Sequence, residues 1–252
     1  MDLNVVYQED CVGPKGMCQL PDNSVDMILC DPPYGQTARN KWDVILSTDQ
    51  MWKEYRRVAK NNAAITLFSN GMYTANLMIS NQQEWRYNLV WNKVIPSGFL
   101  NAKRMPLRNH EDICVFYRKL PAYNPQMTIG NKVHSRGKAV GKLQSQVSRN
   151  TNYRELKVVT TEGNLKYPVS ILVFSKPHPS ITIHSTQKPV ALFEYLIKTY
   201  TNEGAVVLDN CMGSGTTAIA CLNTNRHYIG YENDPEMYIK MNDRILNHKN
   251  KG

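Results

Sequence analysis

The segment from Ala205 to Glu232 constrains the fold more tightly than any other part of the chain. Ala205-Val206-Val207-Leu208-Asp209 is a short apolar run of the kind that suits a strand buried on both faces. It leads into Gly213-Ser214-Gly215, a helix expected from Thr216 to about residue 222, and a second strand, Tyr228-Ile229-Gly230-Tyr231, that ends at Glu232. The spacing Gly213-x-Gly215-x-x-Ala218 lets the backbone approach a ligand closely, and an acid 19 residues after the first glycine can grip two ribose hydroxyls. A strand, turn, helix and strand in this order belong to a doubly wound sheet. The turn alone predicts a ligand containing adenosine and ribose, and it does not separate NAD from S-adenosylmethionine.

The rest of the chain fits that architecture. Leu3 to Tyr7 reads as a strand, followed by a linking stretch with a helix, and then by Ser24 to Cys30 as a strand buried on both faces. Met51, Trp52, Tyr55 and Val58 recur at three- and four-residue spacing, which predicts a helix over 48–59 behind a Ser47 or Thr48 cap. A strand at 63–68, a helix at about 72–82 and a strand at 87–91 follow, then an apolar strand at 113–117. Alternating strands and helices imply a mostly parallel sheet with helices on both faces. The stretch from about 120 to 168 is polar and aperiodic and reads as an insertion. Regularity returns with a helical stripe of Leu192, Phe193, Leu196 and Ile197, expected as core.

Asp31-Pro32-Pro33-Tyr34 follows the buried strand directly, and because prolines cannot continue a central strand the motif must lie just beyond its carboxyl end. An amino group on an adenine or cytosine ring is a poor nucleophile, since its lone pair is delocalised into the ring. A carboxylate and a backbone carbonyl accepting its two hydrogens would push it toward tetrahedral geometry, and Asp31 with the Pro32 carbonyl could do that together. Tyr34 offers a flat face to a base taken out of its stack.

Charge is the informative part of the composition. Residues 101–183 hold fourteen Lys and Arg against four acids, a net +10, whereas the whole chain carries +9. The remainder is therefore close to neutral, and the local basicity has the character of a footprint for a polyanion. The cysteines at 11, 18, 30, 114, 211 and 221 show no metal-ligand spacing, so reduced, mostly buried thiols and no metal are expected. The first residues carry no leader and no apolar run approaches the roughly 20 residues that span a bilayer, so a cytoplasmic location and no membrane partner are expected.

These parts together resemble the amino-methyltransferases of DNA, in the beta-group order: catalytic motif first, target-recognition segment second, cofactor turn last. Supporting matches are Glu9-Asp10, Trp42-Asp43, His110-Glu111, His184-Ser185-Thr186-Gln187-Lys188-Pro189 and Asp209 to Thr217. The resemblance implies a Rossmann-like S-adenosylmethionine-dependent methyltransferase fold, an α/β doubly wound sheet with an inserted segment. Its catalytic half would cover 1–117, the recognition insertion 118–175 and the cofactor half 176–252. It implies catalytic roles for Asp31, Pro32, Pro33 and Tyr34. For the cofactor it implies Asp10 at the adenine amino group, Thr186 and Lys188 near the carboxylate, Asp209, Cys211, Gly213, Gly215 and Thr216 at the methionine end, and Glu232 at the ribose. Two positions depart from the family: Asn210-Cys211 stands where Pro-Phe is usual, which puts cofactor packing in question, and Ser185 stands where Pro is usual. His110 and Glu111 are expected to be structural.

The implied activity is methyl transfer from S-adenosylmethionine to N6 of adenine in double-stranded DNA by base flipping, since Asp before Pro-Pro leans toward adenine in this family. N4 of cytosine is the near alternative, and RNA or a protein amide a distant one. A non-catalytic DNA-binding module of the same fold and an NAD-dependent dehydrogenase are readings of a different class; the second leaves Asp31 to Tyr34 without a purpose. A second copy of the chain and a cognate restriction endonuclease are partners compatible with this activity.

Overall fold

The computed structural model describes residues 1–35, 44–131, 164–184 and 186–250. Trp42, Asp43, Ser185 and positions 132–163 of the expected insertion lie outside the described residues. The chain forms two compact units, one made of Met1–Asn124 with Ser170–Gly252 and the other of Pro125–Val169.

The strands are β1 (Val5–Tyr7), β2 (Val25–Cys30), β3 (Ala59–Ser69), β4 (Trp85–Ser97), β5 (Arg108–Phe116), β6 (Thr128–Ile129), β7 (Leu165–Lys166), β8 (Ile171–Val173), β9 (Val206–Asp209) and β10 (His227–Tyr231). In the larger unit eight of them form one sheet in the order β1-β10-β9-β2-β3-β5-β4-β8. The smaller unit holds β6 paired antiparallel with β7. The helices are α1 (Thr48–Val58), α2 (Met72–Ser80), α3 (Val190–Tyr200), α4 (Thr216–Asn223) and α5 (Pro235–Lys249).

Side chains alternate across each central strand and so feed two separate cores. Met27 and Leu29 of β2, Phe68 of β3 and Val207 of β9 pack with Leu192, Phe193 and Leu196 of α3, with α4, and with Met241 and Ile245 of α5. Ile28 and Cys30 of β2, Ile65 and Leu67 of β3 and Leu208 of β9 pack on the other face with Met51, Trp52, Tyr55 and Val58 of α1 and Tyr73 and Leu77 of α2. Helices on both faces make the sheet doubly wound, with each buried aliphatic side chain stabilising it by about 1.5–3 kcal/mol before entropy is counted.

One strand breaks the parallel pattern. β5 runs antiparallel to both β3 and β4, because it follows β4 without a crossover helix and returns into the gap between them. The helix expected between β1 and β2 is only a 3-10 turn, Met17–Gln19, in a stretch broken by Gly13, Pro14, Gly16 and Pro21. Helix α5 and edge strand β8 were not foreseen. The start of α5 does carry a signature: Asp234 caps it by accepting from the Met237 N–H at 2.9 Å, and Pro235 occupies its first turn.

The sheet order also fixes where a ligand can sit. β9 and β2 are parallel neighbours, paired at Met27–Val207 and Ile28–Leu208. From β9 the chain winds through α4 to β10 on one side, and from β2 through α1 to β3 on the other. The connections diverge at the carboxyl ends of these two strands, the place where doubly wound sheets take up their ligands.

Candidate active site

Both sequence motifs lie at that edge. Asp31 to Tyr34 leaves the end of β2, and Asn210 to Gly215 leaves the end of β9 beside it. Glu232 follows β10 and Asp10 follows β1, so all four loops share the carboxyl edge of the sheet. Pro32 is buried, while Asp31, Pro33 and Tyr34 are half-buried.

The glycine turn is held from several sides. Gly213 and Gly215 adopt φ of +52° and +77°, values that side-chain-bearing residues rarely accept. A Cβ on Gly215 would come within 2.7 Å of Met241, so this glycine allows α5 to close on the turn. A Cβ on Gly213 would meet only the Cys211 carbonyl, at 3.9 Å, which leaves open space above that residue. Glu232 accepts from the Gly213 N–H at 2.8 Å and from the Asp234 N–H at 2.9 Å, so both oxygens are oriented and keep lone pairs for further donors. Burial raises the Glu232 carboxyl above its ordinary pKa.

Asp209 spends its carboxylate inside the turn. One oxygen accepts from the Cys211 N–H at 3.0 Å and the other from the Thr217 hydroxyl. Burial pushes its pKa up to about 7, against the opposing pull of those two donors. Thr216 bonds the Lys188 carbonyl at 3.3 Å and Ser214 at 3.2 Å. Asp10 is exposed and accepts from the Val12 N–H at 3.1 Å.

Asn210, one of the two departures from the family pattern, joins three elements. Its carbonyl accepts from the Tyr55 hydroxyl of α1 at 2.5 Å, and its amide donates to the sulfurs of Cys11 at 3.5 Å and Cys211 at 3.7 Å. A proline could make none of these bonds. All six cysteines are free thiols; Cys18 is exposed, Cys211 half-buried and the other four buried.

Around Asp31 the structure assembles charges that the sequence scatters. Tyr34 donates its hydroxyl to Asp31 Oδ1 at 2.6 Å, and the Lys188 ammonium pairs with Asp31 Oδ2. Lys188 also pairs with Glu111 at 3.3 Å, and Glu111 with Lys93 at 3.1 Å. The side chains of Lys188 and Lys93 are only 8% and 3% exposed, so these ion pairs lie in a low-dielectric setting. Burial alone would lower the Lys188 pKa, yet Asp31 and Glu111 outweigh it and the net shift is upward. Burial alone would raise that of Glu111, and Lys188 with Lys93 bring it below the usual carboxylate value. The rings of Phe68, Trp91 and Tyr34 surround the Lys188 ammonium at 5.2, 5.9 and 6.0 Å.

Glu111 therefore has a structural contact of a specific kind, while His110 beside it is exposed. Thr186 bonds His184 at 2.8 Å and does not cap α3, whose N-cap is Pro189 with no side-chain bond. Among the basic residues of 101–183, Arg118 donates to the carbonyls of Arg56, Ala59 and Lys60 and so braces the backbone between α1 and β3. Among the described residues no cluster of His, Cys, Asp or Glu could hold a metal ion, and no helix is long and apolar enough to cross a membrane.

A doubly wound sheet with an acidic proline motif and a glycine turn side by side at its switch point defines a nucleotide-cofactor enzyme of the methyltransferase class. The model of the DNA methylase family of N6 and N4 methyltransferases matches residues 25–242, and the chain belongs to that family. It is 25% identical over 97% of its length, and 68% of the relative's, to the type II methyltransferase M.HinfI of Haemophilus influenzae. It is 28% identical over 90% of its length, and 69% of the relative's, to the type II methyltransferase M.HpaI of Haemophilus parainfluenzae. Solved structures share the fold. The M1.HpyAVI complex with S-adenosylmethionine superposes with a TM-score of 0.62 at 22% identity, covering 95% of this chain and 98% of that one. The cytosine-N4-specific PvuII DNA methyltransferase does so with a TM-score of 0.64 at 14% identity, covering 98% and 91%.

Proposed function

We propose that this DNA methyltransferase moves a methyl group from S-adenosylmethionine to the N6 amino group of an adenine flipped out of duplex DNA. The observation that carries the reading is the adjacency of Asp31 and the glycine turn at the ends of two paired strands, β2 and β9. The open space above Gly213 and the oriented carboxylate of Glu232 fit a ligand with ribose hydroxyls. Gly213, Gly215 and Thr216 would hold its methionine end, with Asp209 shaping the turn from beneath, and Asp10 would serve the adenine. When bound, the cofactor supplies an electrophilic methyl group on a sulfonium.

The chain's own residues prepare the acceptor. Asp31 accepts one hydrogen of the target amine and the Pro32 carbonyl the other, which localises the nitrogen lone pair toward the methyl donor. Tyr34 stacks on the extruded base, and the rigid prolines keep both acceptors in place without offering a competing N–H. As the bond from nitrogen to the methyl carbon forms, the bond from that carbon to sulfur would break and leave a neutral thioether, and the amine's surplus proton would go to Asp31 before it passes to water. The basic side chains of residues 118–175, Arg118 aside, would contact the duplex.

The second reading is N4 of cytosine, favoured by the shared fold of the cytosine-N4-specific PvuII enzyme. Modification-sensitive sequencing of DNA from a methylation-free host expressing the chain separates the two. N6-methyladenine at a defined site is the expected product; N4-methylcytosine would move the assignment to cytosine, and unmodified DNA would overturn both.

A further inference from the structure

Both carboxylate oxygens of Asp31 are already occupied, and their partners differ in kind. On Oδ1 sits the Tyr34 hydroxyl, a neutral donor three residues along a half-buried loop. On Oδ2 sits the Lys188 ammonium, which is itself fixed on every side. Glu111 holds it at 3.3 Å and is in turn held by Lys93, the Thr216 hydroxyl bonds its carbonyl, and three aromatic rings enclose it. Displacing the ammonium would take an ion pair from half-buried Asp31 and leave Glu111 with Lys93 alone, whereas displacing the hydroxyl costs one hydrogen bond that an incoming amine replaces. Lys176 and His184 also face this group of charges, and burial is the main cause that lowers the pKa of each.

We propose that Lys188 is the positioning residue for Asp31: it anchors Oδ2 from behind while Oδ1, vacated by Tyr34, accepts the amino group of the target base. Glu111 acts one step further back by anchoring Lys188. The inference rests on the methyl-transfer reading and assigns Lys188 to the acceptor side of the site. The resemblance to the amino-methyltransferases implies a place near the cofactor's carboxylate for it instead.

The test compares Lys188→Met, Glu111→Gln and the double variant with the wild type. Titration calorimetry gives the S-adenosylmethionine affinity, and a single-turnover assay on methylatable DNA gives the transfer rate. Lys188→Met is expected to slow transfer by about 100-fold, the scale of a small misplacement of a reacting group, with cofactor affinity unchanged. Glu111→Gln should slow it less. The double variant restores the charge balance and should regain thermal stability while staying as slow as Lys188→Met. Recovery of the rate along with stability would mean a purely structural role and would overturn the proposal. A loss of cofactor affinity at full rate would overturn it in favour of a cofactor contact.

Infrared difference spectra of the unliganded protein, with Asp31→Asn identifying the Asp31 band, provide a readout independent of turnover. The carboxylate band should shift in Lys188→Met, and an unshifted band would sink the ion pair itself. A wild type that transfers no methyl group to DNA would instead sink the functional reading, and the infrared band would still decide on Lys188.

Discussion

Tyr55 in α1 donates its hydroxyl to Asn210 at 2.5 Å, across 155 residues of sequence, and so ties a helix on one face of the sheet to the turn expected to hold the cofactor. Both groups are buried. In Tyr55→Phe the Asn210 carbonyl loses its donor without access to water, which should destabilise the fold by about 1–3 kcal/mol. S-adenosylmethionine affinity should fall as well, because Asn210 precedes the turn directly. Chemical denaturation and titration calorimetry measure the two effects, and unchanged affinity would confine this bond to stability.

Asp31→Ala should abolish methyl transfer while cofactor affinity stays near wild type, since Asp31 makes none of the bonds that shape the glycine turn. A variant that still turns over would remove Asp31 from the chemistry. Tyr34 separates into two parts. Tyr34→Phe keeps the ring and frees Asp31 Oδ1, so transfer should persist. Tyr34→Ala loses the stacking face, worth about 1–3 kcal/mol, and should weaken binding of DNA carrying an extrudable base by about 5- to 150-fold. Equal behaviour of the two variants would rule out the stacking role.

The raised pKa of Asp209 makes a statement about stability. Its carboxyl takes up a proton near pH 7 in the folded protein, compared with an ordinary value of 3.8. Between those values the folded state binds a proton that the unfolded state does not, so this group's contribution to stability falls as pH rises from about 4 to about 7. The difference amounts to a few kcal/mol. Asp209→Asn keeps one acceptor for the Cys211 N–H, turns the other position into a donor toward the Thr217 oxygen, and removes the titration. Urea unfolding of the variant from pH 4 to 7.5 should lack a falling component that the wild type has, and superimposable profiles would refute the assignment.

DNA binding should depend steeply on salt. If about five phosphates are neutralised, log K falls against log salt with a slope of roughly −4 to −5. Arg118→Ala should leave that slope unchanged while lowering the melting temperature, because its guanidinium holds backbone carbonyls at the start of β3. A shallower slope in Arg118→Ala would return this residue to the DNA footprint.

Much of the fold was legible because its signals are local. The stripe of Met51, Trp52, Tyr55 and Val58 announced α1, and all four residues are buried. The apolar runs before Asp31 and Gly213 announced β2 and β9, and the prolines and glycines after them required loops at those strand ends. Strand direction was less accessible. β5 carries the same apolar stretch it would carry if parallel, and only its pairing with β3 and β4 reveals its reversal.

The sequence by itself determined the two chemical loops, their order, and the doubly wound sheet that periodicity and turn residues encode over spans of a few residues. Tertiary structure decided what each charged side chain does. Lys188 reads as a residue ahead of a helix, and becomes a partner of Asp31, 157 positions away, only when α3 packs against β2. Glu111 and Lys93 meet because β4 and β5 pair, and Arg118 is drawn to the backbone at the end of α1 and the start of β3. Ion pairing depends on distance in space and on burial, and neither quantity is written in the spacing of residues along the chain.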